Sequence, residues 1–142
     1  MKKLLIIPML FCLLIFASCD NSPKKTVPTS NTDYENIIGI PIKIENLEVA
    51  QYDFPESMNW YDAKEVCAKL GKGYRLPTKD ELEVMYKNKD RVGGFVNSYY
   101  WSSTEYNNVY AWGHYFNNGF QGGHYSKDGE FNKFNVRAVR TF

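Results

Sequence analysis

Two lysines and an apolar run over residues 4–16 open the chain. Thirteen residues are too few to span a bilayer, which takes about 20 apolar positions. A basic start followed by a run of this length reads as a signal peptide over residues 1–18. Residues 20–35 hold two prolines, many Ser, Thr and Asn, and little that is apolar, the composition of a tether. From Ile37 the pattern becomes β-rich, with Ile40, Ile42 and Ile44 on one face at period two and Leu47 and Val49 continuing or pairing. Two helices follow. Trp60, Ala63, Cys67 and Leu70 form one stripe over residues 59–70, with Gly71 as a stop. Thr78 and Glu81 have capping-box spacing and start a second helix that carries Leu82, Met85 and Tyr86 and ends near Asn88. Beyond Gly93-Gly94 the pattern is short strands and turns. Trp112, His114 and Phe116 alternate, Asn117-Asn118-Gly119 and Lys127-Asp128-Gly129 read as hairpin-type turns, and residues 136–139 read as a terminal strand. A strand, two helices and then several strands give an α+β class, and about 105 residues suffice for one domain.

The segment Phe16-Ala17-Ser18-Cys19 resembles a bacterial lipobox, in which the cysteine is lipidated and becomes the N-terminus. The alternative is a plain secretory signal with a chance cysteine; it wants a small residue where Phe16 stands. Acyl chains contribute about 0.8 kcal/mol per buried CH₂, so two or more anchor a protein stably. The expected layout is a signal peptide over 1–18, lipidated Cys19 and a tether over 19–36, and a domain over 37–142. It places the chain in the cell envelope, at the outer membrane or cell surface, with the membrane as a partner through the lipid. Without Lys2 and Lys3 the 17 basic residues become 15 against 16 acidic ones, a net charge of −1 that gives no reason to expect nucleic acid as a partner. Cys12 leaves with the signal and Cys19 carries lipid, so Cys67 stands alone. On the apolar stripe it reads as a core residue rather than a nucleophile.

The ordered set Met58-Asn59-Trp60-Tyr61-Asp62-Ala63, Arg75-Leu76-Pro77-Thr78, Glu81-Leu82, Gly93-Gly94-Phe95, Tyr100-Trp101-Ser102-Ser103-Thr104-Glu105, Ala111-Trp112 and Val136-Arg137-Ala138-Val139-Arg140 resembles the Lcl C-terminal domain family, named for a Legionella collagen-like adhesin. The resemblance spans about residues 37–142. It implies a C-type-lectin-like domain: two helices packed on small antiparallel sheets, with a long loop-rich region that binds ligand. The disulfides and calcium motifs of animal C-type lectins are missing, and Trp101-Ser102-Ser103 stands where one such motif would be sought. Binding without calcium is therefore expected. Formylglycine-generating enzymes share the Arg-Leu-Pro-Thr helix start, but this chain is shorter and lacks their active-site cysteines.

Residues 106–135 are dense in Tyr, Asn, Gly, Phe and His, the palette of adaptable recognition loops. Tyr106, Asn108, Tyr110, Tyr115, Asn118, Gln121, His124 and Tyr125 are the candidate ligand-binding residues, with turn formation as the rival use of the asparagines. Trp101, Trp112 and Phe116 are read as core. His114, His124 and Asp128 lack metal-ligand spacing, so no metal site is assigned. No cofactor is called for, and no nucleophile–base pair is legible. The expected role is an adhesin-like, non-enzymatic lipoprotein that binds a glycan or protein. The alternatives are the variable target of a diversity-generating retroelement, or a structural envelope protein. Oligomeric state stays open.

Overall fold

The computed structural model describes residues 30–129 and 131–142. The signal-peptide segment, Cys19 and residues 20–29 of the expected tether lie outside them. The described residues form an α+β structure with four helices and two three-stranded antiparallel sheets.

The first element corrects the sequence expectation. Residues 31–36 are not a tether, because α1 (Asn31–Ile38) begins at a capping box in which the Ser30 side chain accepts from the Asp33 N–H while the Asp33 carboxylate takes up the Ser30 N–H. A polar outer face hid this helix, and only Ile37 reaches the core while Tyr34 and Ile38 lean against it. The β-rich run is correspondingly cut short. Gly39 ends α1 at φ +53, and a Cβ there would meet the Gln51 side chain at 2.3 Å, so a side chain fits neither the backbone nor the space. Ile40 points to solvent, 79% exposed, and the strand β1 is only Ile42–Ile44.

Strands β1, β2 (Leu47–Val49) and β6 (Val139–Thr141) form the first sheet, with β2 central and Val49 paired to both Ile42 and Val139. The last strand thus starts at Val139 and not at Val136; residues 136 and 138 instead accept single backbone bonds from Phe54 and Ala50. Helix α2 (Trp60–Lys69) starts where the stripe places it, with Asn59 as cap accepting from the Asp62 N–H at 2.9 Å. Its face of Trp60, Ala63, Val66 and Cys67 is buried, and burial pushes the Cys67 thiol far up, keeping it an uncharged core group. Helix α3 (Lys79–Lys87) has the expected Thr78–Glu81 box, and a short α4 (Lys89–Val92) follows.

Strands β3 (Tyr99–Glu105), β4 (Tyr110–Tyr115) and β5 (Phe120–Ser126) form the second sheet, with β4 in the middle. This sheet separates two cores. Trp101 and Ala111 face a core built with α1, α2 and Phe134. Tyr100 and Phe116 face another, built with Leu82 and Met85 of α3 and with Val49 and Val139 of the first sheet. The Asn117-Asn118-Gly119 turn joins β4 to β5 as expected. Lys127-Asp128-Gly129 does not join two strands. It is a bend leading out of β5, because Lys127 is buried and its backbone is bonded on both sides, to Val109 O and from the Trp60 N–H.

Candidate functional site

Irregular pairing in the second sheet builds the site. Gly113 pairs with Gly122 but Ala111 pairs with Tyr125, so β5 carries one extra residue opposite Trp112. This is a β-bulge at Gly123 and His124. Gly123 has no side chain, and the vacant space is filled by two rings: a Cβ there would lie 2.6 Å from Tyr106 Cδ2 and 2.9 Å from Trp112 Cε2. The bulge also turns His124 onto the same face. Its ring centre lies 4.3 Å from that of Tyr106 and 6.4 Å from that of Tyr110, and Tyr106 meets Trp112 edge-on at 6.0 Å. Tyr106 and His124 are exposed, while Tyr110 and Trp112 are half-buried. The result is an open aromatic cluster with phenol, indole and imidazole edges at its surface.

Helix α3 borders the cluster. Its first residue, Lys79, places its ammonium 5.1 Å from the Trp112 ring centre. That helix end is fixed to the sheet at two points, since the Lys79 N–H donates to Thr104 Oγ1 at 3.0 Å and Gln121 Nε2 donates to Lys79 O at 2.8 Å. Further along, Tyr86 covers His114 and Phe116. Trp112 therefore shares their face but not their cover. This corrects its assignment to the core; alternation gives the face, and only the placement of α3 gives the exposure.

The eight candidates divide. Tyr106, Tyr110 and His124 come together in the cluster. Asn108 is exposed in the loop beside it and gives its carbonyl to Lys127 at 3.2 Å. Gln121 is a strut, bonded to Lys79 and within 3.0 Å of His114 Nδ1. Asn118 Oδ1 accepts from the Phe120 N–H at 3.0 Å, the turn-forming use. Tyr115 and Tyr125 lie on the opposite face, where Tyr115 stacks on Tyr99 at 4.6 Å and Tyr125 packs edge-on against Phe134 at 4.9 Å. Burial, together with a bond to Tyr99, raises the Tyr125 phenol. Trp112 and Lys79 are the two members that sequence reasoning missed. The Gly122-Gly123 pair was the available signal, since glycine inside a strand marks a bulge or a close approach.

Two buried polar groups brace the surroundings. Arg137 is 1% exposed and bonds Asp53 Oδ1 at 2.5 Å, the carbonyls of Gln51 and Gly94 at 2.9 and 3.0 Å, and the Phe95 ring face at 4.4 Å. Tyr100 adds a bond to the other Asp53 oxygen at 2.6 Å. Burial raises the Asp53 carboxyl against the pull of Arg137 and Tyr100. His114 is also buried, with Nε2 unbonded and 3.8 Å from Glu83; burial lowers its pKa, against the pull of that carboxylate.

Away from the cluster, a cleft of about 380 Å³ lies along α2 between Glu56, Asp62, Glu65, Lys69 and Lys133. Among the described residues no three His, Cys, Asp or Glu groups gather as a metal site, and no helix is long and apolar enough to cross a membrane. Comparison with curated proteins gave no match. The model of the Lcl C-terminal domain matches residues 29–140, which includes α1. That span covers most of the chain, and the protein belongs to the Lcl C-terminal domain family.

Proposed function

We propose that this chain is an adhesin-like lipoprotein of the cell envelope, anchored through Cys19, whose C-type-lectin-like domain recognises a glycan without calcium. The observation that carries the reading is the open cluster of Tyr106, Tyr110, Trp112 and His124 over Gly123. Rigid aromatic side chains give large contact area at low entropic cost, and their polar edges can meet hydroxyls. Ring faces suit the C–H surfaces of sugars. The family resemblance adds surface adhesion, and the lipobox supplies the anchor. The role is recognition rather than catalysis.

Calcium independence is supported by what surrounds the cluster: phenols, an indole, an imidazole and an ammonium, rather than the hard oxygen ligands calcium takes. The test is binding of the chain from Asp20 onward to an array of neutral and anionic hexose oligomers, with and without EDTA. The expected result is a signal that survives EDTA and weakens when Trp112 becomes Ala. A blank array together with a stably co-purifying envelope protein would replace the glycan with a protein partner.

A further inference from the structure

The loop carrying Tyr106 is held by a buried lysine. Lys127 is 2% exposed. Its Nζ donates to Glu105 Oε2 at 2.6 Å, to Asn107 O at 2.8 Å and to Asn108 O at 3.2 Å. An ammonium has three donors, and here each has an acceptor. The Trp60 ring centre lies 4.8 Å away, so an aromatic face covers the same charge. The backbone is fixed as well: the Lys127 N–H donates to Val109 O and its carbonyl accepts from the Trp60 N–H, both at 3.0 Å.

The direction of these bonds matters more than their number. All three ammonium contacts end within residues 105–108. An apolar side chain of similar length would fill the space without the cost of burying a charge. What the lysine adds is a fixed position for this one loop relative to α2. The loop has its own internal bonds, from the Tyr106 and Asn107 N–H groups to Tyr110 O and from the Val109 and Tyr110 N–H groups to Asn107 Oδ1. The two bonds to Tyr110 O fasten the base of the loop to β4, and none of the four reaches α2, the element that the lysine joins to the loop.

We propose that Lys127 is the positioning residue of the recognition surface: by fixing residues 105–108 it sets the Tyr106 ring over Gly123 and against His124. This rests on reading the aromatic cluster as the ligand site.

The test uses the full-length protein in detergent, comparing Lys127→Met with the parent by NMR and on the hexose-oligomer array. The variant is expected to fold. The amides of Tyr106, Asn107, Val109 and Tyr110 should exchange about tenfold faster, while those of Met58 and Phe134 keep their protection. The ring-current shift that Tyr106 imposes on the His124 ring should collapse, and array binding should fall about tenfold. Glu105→Ala removes one acceptor at an exposed position, folds whether or not Lys127→Met does, and should loosen the same four amides to a smaller degree. Unchanged loop amides and an unchanged His124 shift, or loosening spread evenly over the sheet, would overturn the proposal. Local loosening with no array signal from the parent protein would overturn the recognition reading while supporting the loop-setting role.

Discussion

The Tyr106 ring occupies the space that a side chain on Gly123 would need: a Cβ there would come within 2.6 Å of it. One missing side chain thus seats two rings, exposed Tyr106 and half-buried Trp112, since Trp112 Cε2 lies 2.9 Å from the same point. Gly123→Ala should displace both rings and cost about 1–3 kcal/mol, the range for overpacking. Urea unfolding measures the cost. A larger loss of array binding than of stability would mark the position as part of the recognition surface.

Arg137 ties three segments together. It reaches Asp53, the carbonyls of Gln51 and Gly94, and the Phe95 ring from a site with 1% exposure. Arg137→Met leaves Asp53 buried without its cation and should cost about 3–5 kcal/mol, as breaking buried pairs does. Chemical denaturation at neutral pH checks this. A change under about 1 kcal/mol, the scale of an exposed pair, would show that Asp53 is solvated instead.

His114 gives stability a pH dependence of known sign. Burial lowers its pKa from the usual 6.5, and Glu83 only partly opposes this. Below about 6.5 the unfolded chain takes up a proton that the folded chain resists, so this contribution falls as the pH drops toward the depressed folded value. Between pH 7.5 and 5.5 the parent protein should therefore lose more stability than His114→Gln, with unfolding followed in urea. Equal losses would mean that the imidazole takes up its proton in place.

Helix α1 should count as part of the domain. Ile37 is 6% exposed in the main core, and the Gln51 and Tyr52 N–H groups bond to the carbonyls of Ile38 and Ile37. A chain beginning at Ile40 should be less stable than one beginning at residue 29 by at least about 1.5–3 kcal/mol, the burial of one isoleucine. Thermal unfolding of the two fragments decides. Equal midpoints would return residues 30–36 to the tether.

Local signals were legible where one segment contains both partners. The Thr78–Glu81 box and the Trp60, Ala63, Cys67 stripe each lie within a single helix, and both stand in the structure. The Ser30–Asp33 box is equally local but was masked by the polar composition around it. The site was less legible because it depends on pairing between distant segments. Tyr115 and Tyr125 resemble Tyr106 and Tyr110 in composition; alternation along β4 separates Tyr115 from Tyr110, but only the extra residue of β5 opposite Trp112 puts Tyr125 on the Tyr115 face. Lys127 reads as a turn residue in sequence because nothing in its neighbours reveals Trp60 or Glu105.

In the proposed reading, ligand binds on the Trp112 face of the second sheet. The most direct measurement is calorimetric titration of the strongest array ligand into the parent protein, Trp112→Ala and Tyr115→Ala. Trp112→Ala should weaken affinity about tenfold or more, as expected for an aromatic anchor, and Tyr115→Ala should change it little. Loss confined to Tyr115→Ala, or equal affinity in all three proteins, would contradict that reading.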